Sequence, residues 1–167
     1  QGYHPERIAF AGDSAGGGIA LAALLKLRDD GLPLPAACAA FSPCTDATLS
    51  GESHTTRAQA DPCTPPGASE VYMNWYVGNG DAAHPYASSL LGDLAGLPPL
   101  LLQVGEDEVL RDDSTRFAQK ALVAGVPVQL RVEKGMFHCF PLLAPLFPEA
   151  TRALDEACAF LLEQLHR

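Results

Sequence analysis

The sequence predicts an α/β fold, a mostly parallel sheet flanked by helices, and three observations carry that expectation. Residues 8–11 and 36–41 are short apolar runs, and residues 99–104 one interrupted only by Gln103, as expected of strands covered on both faces. Helix-length amphipathic segments separate these runs, so strand and helix alternate along the chain. The first run also passes through a glycine-rich turn straight into an alanine- and leucine-rich segment, a strand–turn–helix unit.

Taken in order, residues 8–11 form the first strand and residues 19–28 a helix packed by Ile19, Leu21, Leu24, Leu25 and Leu27. Gly31 supplies the left-handed residue that ends it. A buried strand follows at 36–41. Residues 47–66 are polar and broken by prolines, which predicts a surface loop. The spacing predicts a helix over 68–77, with contacts from Val71, Met73, Trp75 and Tyr76, and irregular chain over 78–96. Residues 99–105 form the next buried strand. Asp112 or Asp113 can cap a helix running to about residue 124, which Gly125 stops. Residues 126–132 alternate well enough for a strand near the sheet edge. Pro148 starts a long final helix with an apolar stripe at Ala150, Ala153, Leu154, Ala157, Leu161 and Leu165.

Composition narrows the function. A chain of 167 residues can bury a real core as one domain. The net charge of −9 repels phosphates, which argues against nucleic-acid and anionic-membrane partners, and no apolar run is long enough to span a bilayer. Cys38, Cys44, Cys63, Cys139 and Cys158 are odd in number and lack C-x-x-C spacing. They are expected as free thiols of a reducing, cytoplasmic compartment, not as a disulfide framework or metal site.

The chemistry centres on Gly12-Asp13-Ser14-Ala15-Gly16, a Gly-x-Ser-x-Gly turn between strand and helix. In that context it predicts a nucleophile elbow, with Ser14 raised above the sheet end and Gly12 and Gly16 removing side chains that would collide. A serine needs a histidine to take its proton and a carboxylate to hold that histidine. His138 is the expected base: it lies between a strand end and the last helix, flanked by Phe137 and Phe140, unlike His4, His54, His84 and His166. Glu106, Asp107, Glu108, Asp112 and Asp113 lie within reach as the acid. Asp112 and Asp113 suit the helix dipole better, and the residues leave Asp107 and Glu108 open.

Together these residues resemble the hormone-sensitive-lipase-like α/β-hydrolases, in particular their bacterial esterases. Gly12-Asp13-Ser14-Ala15-Gly16-Gly17 is similar to the family elbow, and Ser42-Pro43-Cys44-Thr45-Asp46 to its Ser-Pro-Trp-x-Asp stretch, with Cys44 replacing the aromatic. Leu97-Pro98-Pro99 and Gly135-Met136-Phe137-His138 also match. The family's acid loop, Asp-Pro/Val-Leu-x-Asp, laid on Leu110 and Asp112, places the acid at Glu108, with Asp107 the alternative.

The resemblance implies a serine carboxylesterase for short- to medium-chain acyl esters, with Ala15 as an oxyanion donor and no metal or organic cofactor. A peptidase or thioesterase on the same triad, a non-catalytic ligand-binding relative, or an inactive fragment are the alternatives. It further implies that residues 1–167 are the C-terminal part of one catalytic domain. The N-terminal strands, cap and His-Gly-Gly-Gly oxyanion loop would then belong to a missing N-terminal half. Residues 8–11 should accordingly form an unpaired sheet edge, and residues 126–132 could pair edge to edge in a homodimer.

Overall fold

Three parallel strands form on the apolar runs and a fourth on the alternating segment: β1 (Ala9–Asp13), β2 (Ala37–Phe41), β3 (Leu100–Gly105) and β4 (Val128–Glu133), hydrogen-bonded in that order. The computed structural model describes residues 2–166. The register sets Gly12 beside Ala40, Ala40 beside Leu102, and Leu102 beside Leu130. Because every strand runs the same way, all four carboxyl ends lie along one edge of the sheet, where open α/β sheets place their ligands.

Side-chain alternation then divides the core into two layers. Cys38, Ala40, Leu100 and Leu102 face one way, against Leu21, Leu24 and Leu25 of helix α1 (Ser14–Asp29) and Phe117, Ala118 and Ala121 of α4 (Arg111–Val123). Ala37, Ala39, Phe41 and Leu101 face the other, against Ala157 and Phe160 of α5 (Pro148–Leu165). Two shorter helices, α2 (Ser53–Thr56) and α3 (Ala68–Val77), lie in the long connection from β2 to β3. β4 is one edge, alternating half-buried Val128 and Leu130 with exposed Gln129 and Arg131. β1 is the other edge, pairing only with β2 among the described residues, as expected for residues 8–11.

Several helix faces differ from the sequence pattern. α1 begins at Ser14 rather than residue 19, and Ile19 is exposed while Ala20 is buried. In α5, Leu154 is exposed and Phe160 joins the buried stripe. α3 has the expected bounds but buries none of its residues: Val71, Trp75 and Tyr76 are exposed, and only Met73 among the four expected contacts is half-buried toward a cavity.

The largest correction concerns residues 47–66, which are only in part a surface loop. Ala47, Gly51, Ser53, Asp61 and Thr64 are all buried. Polar composition misleads here because buried carboxylates are met by backbone amides of the connection. Asp112 and Asp113 do lie in the first turn of α4, but neither caps it. The Asp113 carboxylate instead accepts the backbone N–H groups of Thr45 at 2.7 Å and Asp46 at 2.9 Å, while Asp112 accepts that of Ser53 at 2.9 Å. His54 approaches the other Asp113 oxygen at 3.2 Å.

Asp113→Ala would strand the Thr45 and Asp46 amides, two buried donors worth ~1–3 kcal/mol each. The full-length protein is therefore expected to lose ~3 kcal/mol of unfolding free energy, read as a lower urea midpoint, whereas an unchanged midpoint would remove Asp113 as the anchor of this connection.

Candidate active site

Ser14 occupies the first position of α1 with φ of 50°, a left-handed conformation that costs a residue with a Cβ. The turn is tight at Gly12, where a Cβ would come 2.5 Å from the Gly16 carbonyl oxygen. Gly16 itself is not required by sterics, contrary to expectation: a Cβ there meets nothing within 4 Å. The demanding second glycine is Gly18, where a Cβ would sit 2.1 Å from the Cys44 carbonyl oxygen. Its absence lets α1 seat against the turn that follows β2.

The His138 loop follows β4, and its ring bridges two elements. Nε2 lies 2.9 Å from Ser14 Oγ, and Nδ1 lies 3.2 Å from Glu108 Oε1. Glu108 is fully buried, and its Oε2 accepts hydrogen bonds from the Gly105 N–H at 2.7 Å and the Ser42 hydroxyl at 2.8 Å. The structure thus brings Ser14, His138 and Glu108 together from the ends of β1, β4 and β3. Asp107 turns away and pairs with Arg57 at 3.6 Å. Ala15, the second residue of α1, is exposed, and its N–H is one of the helix's first four, which have no intrahelical acceptor.

A cavity of about 110 Å³ opens beside these groups, lined by Ser14, His138, Cys44, Leu49, Cys63, Met73, Val109 and Leu110, among others. Burial pushes the Cys44 thiol up to about 12. All five cysteines are free thiols, and no group of three or more His, Cys, Asp or Glu side chains among the described residues could hold a metal.

Two neighbours of the site were given no role by the sequence. Cys139, left-handed with φ of 56°, places Sγ 3.3 Å from His138 Nε2 and donates its backbone N–H to Ser42 Oγ at 3.0 Å. Burial pulls the His138 pKa down. Hydrogen bonds with Cys139 and Glu108, and the charges of those groups, outweigh burial and raise it to about 10. Ser42 opens the Ser42-Pro43-Cys44-Thr45-Asp46 match and directly follows a buried strand, where the carboxyl edge of the sheet lies, but neither signal says what its hydroxyl does.

This arrangement of a strained serine on a strand–helix turn, a histidine and a buried acid on later loops defines a class, the α/β-hydrolases. A family model described as the alpha/beta hydrolase fold matches residues 1–142, and the chain belongs to that family. Within it, the chain is a hormone-sensitive-lipase-like member. It superposes on an esterase from the bacterial hormone-sensitive lipase family with a TM-score of 0.95 at 44% identity, covering 98% of this chain and 55% of that one. A structure of EstE5 soaked by p-nitrophenyl butyrate gives a TM-score of 0.95 at 42% identity, covering 100% and 56%.

Among curated proteins, the chain is 47% identical over 161 residues to an acetyl-hydrolase of Streptomyces hygroscopicus, covering 96% of this chain and 54% of that one. It is 36% identical over 170 residues to the carboxylesterase NlhH of Mycobacterium tuberculosis, covering 99% and 53%. The chain spans about half the length of the curated relatives it matches. Among the described residues, no helix is long and apolar enough to cross a membrane.

Because the Cys139 contact raises the His138 pKa, Cys139→Ala is expected to move the imidazole's titration midpoint to lower pH. An NMR titration of His138 reads this directly, and an unmoved midpoint would remove Cys139 as a cause.

Proposed function

We propose that this chain carries the reacting groups of a serine carboxylesterase that hydrolyses short- to medium-chain acyl esters. One observation carries the reading: Ser14 Oγ, His138 and Glu108 lie in a single hydrogen-bonded line, with the imidazole contacting both partners. His138 Nε2 removes the Ser14 proton as Oγ attacks the ester carbonyl, and Glu108 holds the ring through Nδ1. The Ala15 N–H, at the positive end of α1, donates to the developing oxyanion. His138 then gives its proton to the departing alcohol. Water repeats the sequence on the acyl-enzyme and frees the acid. These steps use no metal or organic cofactor.

The cavity beside Ser14, and relatives named acetyl-hydrolase and carboxylesterase, support an acyl ester as the substrate. The chain's contact between histidine and serine favours catalysis over a ligand-binding role. The relatives carry about as much chain again. The further oxyanion donors and the groups that select acyl length are proposed to lie in such an N-terminal half. A homodimer through the open edge of β4 is part of the same proposal; sedimentation velocity giving a monomer at micromolar concentration would withdraw it.

In the full-length enzyme, Ser14→Ala is expected to reduce p-nitrophenyl butyrate hydrolysis at least ~10⁴-fold, and Glu108→Ala ~10²–10⁴-fold. Retention of wild-type turnover by Ser14→Ala would overturn the assignment. Only neutral His138 can act as a base, so its raised pKa predicts that kcat/KM climbs with pH toward about 10. A rate that is flat from neutral pH upward would contradict that prediction.

A further inference from the structure

We propose that Ser42 is a positioning residue of the hydrolytic site, its hydroxyl locking the acid loop and the histidine loop into one register. The inference rests on the esterase reading above and adds to it a residue that does not touch the substrate. Ser42 is fully buried and left-handed, with φ of 47°, immediately beyond the end of β2. Its own N–H donates to the Gln103 carbonyl at 2.7 Å, tying it to β3. The side chain therefore stands at a fixed point between the two loops that supply Glu108 and His138.

The direction of its hydrogen bonds is forced by chemistry. Glu108 Oε2, 2.8 Å away, also takes the Gly105 N–H and is an acceptor when ionised, so the Ser42 hydroxyl donates its one proton there. The Cys139 backbone N–H, 3.0 Å away, can only donate, so it occupies a lone pair on the same oxygen. One hydroxyl thus serves both loops. By binding Oε2 it leaves Oε1 to His138 Nδ1, and by holding the residue directly after His138 it sets the ring's height over Ser14. Among the described residues it is the only side chain other than His138 that hydrogen-bonds Glu108.

Removing the hydroxyl has two separable consequences. The loops lose a shared anchor, and a misplacement on the order of 1 Å costs up to ~10²-fold in rate. The Glu108 carboxylate also loses a donor, concentrates more negative charge toward His138, and stabilises the imidazolium further. A residue that merely filled space would not produce the second effect.

The test compares the full-length wild type, Ser14→Ala, Ser42→Ala and Ser42→Cys, the last keeping a weak donor of similar shape. Ser42→Ala is expected to lower kcat roughly 10- to 100-fold while KM stays within about threefold, and to move the His138 titration midpoint, followed by NMR, to higher pH. Ser42→Cys should fall between it and the wild type on both readouts. Wild-type kcat in a folded Ser42→Ala protein, or a lower kcat with an unmoved midpoint, would overturn the proposal. If Ser42→Ala does not fold, Ser42→Cys decides by the same two readouts. Wild-type enzyme without Ser14-dependent hydrolysis would instead overturn the esterase reading, leaving Ser42 to be decided by the titration alone.

Discussion

The structure depends on the burial of one carboxylate. Glu108 has no exposure to solvent, and a charge removed from water is tolerated only where hydrogen bonds replace its hydration. Its partners come from three neighbouring strands: Gly105 at the end of β3, Ser42 just past β2, and His138 in the loop past β4. The observed order, with β3 between β2 and β4, places these three ends side by side. The same point explains Gly105, where a Cβ would lie 2.3 Å from the Met136 carbonyl oxygen. Without a side chain there, the histidine loop can close over β3 and reach both Glu108 and Ser14, just past β1.

Around that centre lies a second set of carboxylates that bind backbone amides more than cations. Asp61 accepts the Val109 N–H at 3.1 Å and so fixes the residue next to Glu108, while its other oxygen takes the Cys63 N–H at 2.9 Å. Burial works against the charged form of Asp46, but hydrogen bonds from Ser50 and Thr48 hold its carboxyl below the usual carboxylate range. The Arg116–Asp46 ion pair at 3.4 Å has its cation partly in solvent, where such pairs contribute little. Amide acceptance specifies a backbone path, which an ion pair between flexible side chains does not. That is how a proline-broken, polar segment becomes one wall of the cavity beside Ser14.

The parts of this design written in local pattern were legible in the sequence. Apolar runs gave the strands, the glycine-rich turn gave Ser14, and the position of His138 between strand and helix singled it out among five histidines. Glu108 was singled out as the candidate acid only through a family resemblance, because a run of carboxylates looks like a solvated loop until one of them is buried. The polar core of residues 42–66 was illegible for a stronger reason. Its bonds join residues far apart in sequence, Ser42 to Glu108 and Thr45 to Asp113, and no local period records them. α3 failed in the opposite sense. Its period is helical and its apolar residues are real, yet Val71, Trp75 and Tyr76 face outward, because periodicity reports a face and not what covers it.

In the proposed reaction the choice of nucleophile rests on geometry and not on intrinsic reactivity. His138 Nε2 meets Ser14 Oγ at 2.9 Å and Cys139 Sγ at 3.3 Å, and one ring nitrogen can serve only one proton at a time. A thiol is the better nucleophile in isolation. Cys139, however, sits in a turn pinned by its own amide to Ser42, and it does not line the cavity. Ser14 does line it, stands on a strained turn that aims Oγ outward, and has the Ala15 N–H beside it at the start of α1. Attack requires a nucleophile, a base and an oxyanion donor around one point in open space. Of the two, only Ser14 satisfies all three, which supports it over Cys139 as the nucleophile of the proposed esterase.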